Sequence, residues 1–372
     1  MRRVFTPILI VISLLLILPD SARAQSGQAT LVNRALVDAK QTWSGPQAGA
    51  AFAGKTINGI SFPRGYQPVG SFSALFPSQG SSSWLALSTG SFGNPQNSKD
   101  YLLTIQILDL NWGNGNGDIY DPIILSDPKG KIKSTNIVNA STPTRYLTGA
   151  DFNPQAFVQA SDGTFWVAEA YGPSLLHFRD NGQLLDTPIP LSGAGALQGM
   201  GLVPGGKQLL IAQREQGSNV VLRGFDTTKK QLTDASVTYQ LSDPSHNVSD
   251  LAMINTNQAV VIEQDSQQGA AAKFKMIFMV DLSKNPAGKT PLVDLLNIAD
   301  PNGIATSKVF SGQPANGFGL SGPFKFPYVD VAAVYPLNEN TLLIVNDNHL
   351  PNGTGRSANQ ADDSDFIAVQ IP

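Results

Sequence analysis

Apolar and polar residues alternate in short runs along most of this chain, and Gly, Pro, Asn and Asp break the runs. The clearest stretch is residues 155–185, QAFVQASDGTFWVAEAYGPSLLHFRDNGQLL. Its pattern predicts three strands joined by tight turns. The first ends at Ser161-Asp-Gly163, the second covers 164–168, and the third covers 174–178 and ends at Asp180-Asn-Gly182. Asp-Gly and Asn-Gly suit tight hairpins because both tolerate positive φ. Such a meander cannot bury both of its faces alone, so it predicts neighbours of the same kind.

The pattern recurs at residues 71–90, 199–213, 250–265 and 330–348, with trailing strands at 101–110, 219–226, 275–282 and 366–372. With Phe157, Leu202, Met253 and Val334 taken as equivalent, the steps are 45, 51 and 81 residues. The last step reads as two periods. Units of about 40–50 residues are those of propeller blades. The expectation is an all-β chain, a six-bladed β-propeller of antiparallel four-stranded blades. Five or seven blades fit the same spacing, and a large sandwich or two stacked β domains is the competing architecture. The strand at 366 and one near 57–62 are expected to share a blade and close the ring. Helical periodicity is confined to residues 29–40.

Composition narrows this further. The 372 residues include 35 Gly and 25 Pro, 41% are hydrophobic and only 14% are charged. Residues 1–24 have the form of a secretory signal: Arg2 and Arg3, an apolar run over 8–18 too short to span a bilayer, and a small-x-small site at Ala22-Arg23-Ala24. The alternative is a retained anchor. The expected organisation is a signal peptide (1–24), a loose N-terminal arm (25–50) and a single propeller domain (51–372), secreted or periplasmic, monomeric and without a stable membrane anchor. No Cys is present, which excludes disulfides and thiolate chemistry. Loss of residues 1–24 takes the formal charge from −3 to −5, and no basic run remains, so nucleic acid is not an expected partner. A Gly/Pro/Asn-rich stretch at 300–327 is expected to be a long loop.

Standard catalytic motifs are missing. His177, His246 and His349 are far apart and share no metal-ligand spacing; His177, on a predicted strand, reads as structural. What remains is oxygen chemistry. Glu169, Glu263, Asp265, Asp330, Asn346, Asp347, Asn348, Asp362, Asp363 and Asp365 gather at predicted strand ends, which converge at the mouth of a propeller. Carboxylates there suit Ca²⁺, and a bound cation polarises phosphate toward water. Against each stands the plainer reading of a turn cap. Residues 109–121 (DLNWGNGNGDIYD) resemble a calcium loop but lack the bidentate Glu of an EF-hand, and read first as a turn.

These motifs, in this order, resemble the esterase-like phytase family: WLALSTGSFGNPQNSKDYLLTI at 84–105, DGTFWVAEAYGPSLLHF at 162–178, VVIEQDS at 260–266, LLIVNDNHLP at 342–351 and GRSANQADDSDFIAVQI at 355–371. The resemblance covers residues 71–372 and implies a propeller-type phosphoric or carboxylic ester hydrolase assisted by a divalent metal, with a small-molecule ester or phosphate as substrate. Carried over on that pattern, Glu169, Glu263 and Arg356 are the expected catalytic groups, Arg356 as an anion clamp. Asp265, Asp347, Asn348 and Asp363 are the expected Ca²⁺ ligands. The chain departs from the pattern where Gln155, Gln198 and Ala332 stand in place of Glu, and Ser88-Thr-Gly90 lacks an Asp. Loss of those charges weakens a metal site and removes candidate bases. The alternative function is therefore a non-catalytic propeller that binds a ligand or partner. A third reading is a lactonase-like or sugar-oxidising propeller.

Overall fold

The computed structural model describes residues 27–90, 92–133, 137–191, 195–215, 219–307 and 316–372. The expected signal and its cleavage site lie outside the described residues.

Strand β1 (Thr30–Val37) precedes five meanders. The first contains β2 (Phe72–Pro77), β3 (Trp84–Ser88), β4 (Thr104–Asn111) and β5 (Asn116–Ile119). The second contains β6 (Pro154–Gln159), β7 (Phe165–Glu169), β8 (Ser174–Phe178) and β9 (Ile189–Pro190). The third contains β10 (Leu197–Leu202), β11 (Gln208–Arg214), β12 (Asn219–Asp226) and β13 (Gln231–Gln240). The fourth contains β14 (Asn247–Asn255), β15 (Gln258–Gln264), β16 (Lys275–Asp281) and β17 (Gly288–Asp294). The fifth has only β18 (Asp330–Asn338), β19 (Thr341–Asp347) and β20 (Ser364–Gln370) from its own stretch of chain, and β1 completes it.

The hairpins follow the turn residues. Between β6 and β7, Gly163 takes φ +84°, and Asp162 accepts the Thr164 N–H at 3.0 Å and the Thr164 hydroxyl at 2.6 Å. Along each strand, alternate side chains serve opposite faces. Ala156 and Val158 pack toward the third meander, with Met200 and Ile211, while Phe157 packs toward the first, with Leu87 and Leu103. The same division makes five apolar cores, one between each neighbouring pair of meanders around a circle. Their first strands touch in the cyclic order β2–β6–β10–β14–β18–β2. Gly199 permits one of these approaches, since a Cβ there would lie 2.9 Å from the Asp250 Cα.

Two expectations need correction. The described residues form five meanders, not six. Among its described residues, the 81-residue step between Met253 and Val334 holds the rest of the fourth meander, the short helix Ile304–Ser307 and the bridge Ile298↔Phe324, and no extra sheet. The closing strand is also not at 57–62, where Thr56–Ile57 and Ile60–Ser61 form a small hairpin of their own. It is β1, within the stretch expected to be a loose arm and the one place where helical periodicity was read. β1 pairs antiparallel with β20 and joins the first meander through a parallel pair, Leu36↔Asn116. Its burial explains the pairing: Leu31, Ala35, Leu36 and Val37 are apolar and buried, and Arg34 is anchored on Asp365 at 2.7 Å. Among the described residues no helix is long and apolar enough to cross a membrane.

Candidate functional site

Each first strand carries one β-bulge close to its start. The ladder steps over Ser73 in β2, Gln155 in β6, Gln198 in β10, Ser249 in β14 and Ala332 in β18. A bulge re-aims its unpaired residue. All five line one cavity of about 310 Å³ at the end of the ring where these strands begin. The rest of its wall comes from Thr89, Gly93, Asn153, Ala196, Asn247, Val248, Asp330, Asp347, His349 and Asn352. The three positions where the family pattern calls for Glu are thus equivalent places on one polar ring.

The ionisable part of the wall is compact. One ligand atom each from Asp330, Asp347 and His349 lies within 4.8 Å of the others. His349 Nε2 is 3.6 Å from Asp347 Oδ2 and 3.8 Å from Asp330 Oδ2. Asp330 and Asp347 are a cross-strand pair at the open end of the β18–β19 hairpin. The loop after β19 folds back through His349, at φ +44°, whose N–H donates to Asp347 Oδ1 at 2.7 Å. Gln264 Nε2 donates to Asp330 Oδ1. Burial, with the Asp330 charge adding to it against the pull of His349, pushes the Asp347 carboxyl up to about 6. For His349, burial disfavours the cation, but the two carboxylates outweigh it and raise the imidazole to about 9. Burial opposes ionisation of Asp330 as well, yet His349, Gln264 and Lys275 together hold it below the usual range.

Of the residues expected to act, Asp347 alone lines this cavity. Glu169 and Glu263 do hold equivalent places at the ends of β7 and β15, opposite Pro154 and Val248. Both are spent on structure. Glu169 accepts the N–H groups of Tyr171 and Gly172 at 2.9 Å each and the Ser174 hydroxyl at 3.2 Å, and burial raises its pKa. Glu263 is fully buried under Tyr239, Ser242, His246 and Lys289. Burial works against its charge, but those donors outweigh it and lower its pKa. Arg356, expected as an anion clamp, does not line the cavity: its guanidinium donates to Tyr328, Phe318 O, Lys325 O and Asp365 and is stacked over Phe324. Asp265 caps the loop at Gln267, Lys273 and Phe274 and pairs with Lys275. Asn348 accepts the Ser71 N–H at 2.7 Å. Asp363 accepts the Ala39 N–H at 2.9 Å, beside other cavities than this one. In the loop at 109–121, Asn111 and Asn114 accept backbone N–H groups of the turn.

The proposed calcium set therefore does not converge. The closeness of His349 and Asp330 to Asp347 is a matter of hairpin register, which the spacing of the residues does not encode. The available signal was an Asp at each end of a hairpin-like run, followed two residues on by His. His177, by contrast, is structural as expected: it is stacked on Trp166 and held between Asp186 and Thr164.

Antiparallel meanders arranged in a closed ring, with a polar cavity at one end of the axis, define an all-β protein of propeller type. A family model described as "Phytase-like: Esterase-like activity of phytase" matches residues 67–350, and the chain belongs to that family. No protein of curated function matches it. Among solved structures it is similar to a PQQ-bound aldose sugar dehydrogenase from Streptomyces coelicolor, at 11% identity and TM-score 0.40, over 91% of this chain and 98% of that one. It is similar to a gluconolactonase from Xanthomonas campestris at 9% and 0.39, over 93% and 98%. With Kuenenia stuttgartiensis hydrazine synthase the values are 12% and 0.36, and the match spans 74% of this chain and 64% of that one. Likeness at this level carries no argument about activity.

Proposed function

We propose that this chain is an exported hydrolase of small phosphate or carboxylate esters, a five-bladed propeller that works at the mouth of its ring with the help of a divalent ion. The observation that carries the reading is the convergence of Asp330, Asp347 and His349 on a cavity ringed by the five bulge residues, in a member of this family. Export rests on the signal-like residues 1–24.

Two carboxylates and an imidazole suit a first-row divalent ion such as Mn²⁺ or Zn²⁺ better than Ca²⁺, which takes about six to eight oxygens. Asp330, Asp347 and His349 would hold it, and it would polarise an ester oxygen and acidify a bound water. The chain fixes these groups in advance. Gln264 orients Asp330, and the His349 N–H orients Asp347. The ring amides and hydroxyls position the substrate over them.

The test is turnover of 4-nitrophenyl phosphate and 4-nitrophenyl acetate by the purified mature chain with Mn²⁺, Zn²⁺ or Ca²⁺ and after chelation. Turnover that a chelator abolishes and H349A lacks supports the reading; no turnover under any condition overturns it. A second reading, ligand binding without catalysis, is favoured by one observation: Gln155, Gln198 and Ala332 leave three of the five bulge positions without the family's charge.

A further inference from the structure

The wall of the mouth holds an unusual balance of groups. Among its described lining residues there is no Lys or Arg, and His349 is the only basic group. Lys275, whose charge reaches Asp330, is fully buried and bound to Asp265 O at 2.7 Å, Val329 O at 3.0 Å and Asp265 Oδ1 at 3.2 Å. Two carboxylates already claim the positive charge available, whether from His349 or from a divalent ion in its place. A substrate with several phosphate groups would bring many more negative charges into this space with nothing to pair them, and unpaired charge in a partly desolvated site is strongly disfavoured.

The neutral groups point to a different ligand. Asn153, Gln155, Gln198, Asn247 and Asn352, all with amide side chains, line the cavity. Each amide offers two donors and an acceptor, the complement of a set of hydroxyl groups. Two atoms of the wall, Thr89 Oγ1 and Gln198 Oε1, are buried and without a hydrogen-bond partner, and Thr89 is only 4% exposed. Such orphans are uncommon in folded proteins and call for a partner, which a ligand hydroxyl in the mouth can supply. At about 310 Å³ the cavity is at the small end of ligand sites, the size of one sugar unit with a short substituent.

We propose that the mouth takes an uncharged, hydroxyl-rich carboxylate ester, an acylated sugar or polyol, and discriminates against polyphosphates. For its chemistry this rests on the hydrolase reading above; for recognition it stands on the wall alone. In the reaction, a water oxygen bonds to the acyl carbon, the acyl C–O bond to the sugar breaks, and the water proton passes to the departing alkoxide. The products are a carboxylic acid and the free alcohol, and no oxidant or reductant is needed.

Calorimetry of the mature chain, with and without Mn²⁺, against 6-O-acetylglucose and inositol hexakisphosphate separates the possibilities, with acetate and phosphate release followed in parallel. The expected result is binding of 6-O-acetylglucose at least about 100-fold tighter than of the hexakisphosphate in metal-free protein. T89V and Q198A should each weaken that binding about tenfold, while T89S restores it. Tighter binding or turnover of the hexakisphosphate overturns the inference and leaves the hydrolase reading standing. So does T89V that folds and binds like wild type. Binding of 6-O-acetylglucose without acetate release, with or without Mn²⁺, upholds the recognition and removes the carboxylate-ester half of the hydrolase reading.

Discussion

The imidazole Nε2 of His349 stands 3.6 Å from Oδ2 of Asp347, two residues before it, because the chain reverses at the end of β19 with His349 in the left-handed region. Asp347 in turn lies opposite Asp330 in the hairpin, so one turn and one register bring three metal-competent groups to the mouth of the ring.

H349A should abolish binding of Mn²⁺ or Zn²⁺ in a chain that still folds. The side chain is 42% exposed and supports no core. Calorimetry and thermal unfolding on the same sample check both halves. A loss of affinity of 10-fold or less would mean that His349 is not a ligand.

Restoring charge to the ring should strengthen a metal site there. Q155E, Q198E and A332E each place a carboxylate at a bulge that faces the cavity. The triple variant should bind divalent ions at least about tenfold tighter than wild type, with Ca²⁺ gaining most because the added ligands are hard oxygens. Unchanged affinity would show that these positions do not reach the ion.

Arg356 is predicted to matter for stability and not for catalysis. Its partners Tyr328, Asp365, Phe318 and Lys325 all belong to the fold away from the cavity, and removing it leaves part of the Asp365 charge uncompensated. R356A should cost about 3 kcal/mol or more in unfolding experiments. At a temperature where it is folded, its kcat/KM should stay within about twofold of wild type.

Asp363 gives a pH signature. Burial, reinforced by Asp38, Asp365 and Asp362 and opposed by the Ala39 N–H, raises its carboxyl to about 7. A carboxyl whose folded pKa is raised favours the fold in its protonated form, fully below its unfolded pKa of about 4, and that contribution fades as pH rises through 7. D363N can keep the hydrogen bond from Ala39 without the charge. Its stability relative to wild type should therefore grow between pH 4 and 7 and level off above, as denaturant titrations at several pH values would show. A pH-independent difference would contradict this.

Removal of residues through Val37 should leave β20 as a bare edge and strip Asp365 of Arg34. The expected outcome is a chain that aggregates or melts at least about 10 °C lower, measured by light scattering and thermal unfolding. A truncated chain that melts like wild type would mean that β1 does not close the ring.

Local patterns in the sequence were enough to determine the hairpin strands of the meanders, their turns and their repetition, because side chains that alternate with period two and dipeptides such as Asp162-Gly163 act within a few residues. The family resemblance marked Gln155, Gln198 and Ala332 as the positions where that pattern calls for Glu. Only the tertiary structure decided the rest. It set the number of meanders, since the part of the 81-residue step that follows β17 holds a short helix and an isolated bridge but no strand among its described residues. It made β1 the closing strand, a pairing across more than 300 residues that no local signal encodes. And it decided which acidic residues face the mouth. Glu169 and Glu263 sit at strand ends like Asp347, but one residue of register and the course of the next loop turn the first two into buried structural anchors and leave the third beside Asp330 and His349 in the cavity.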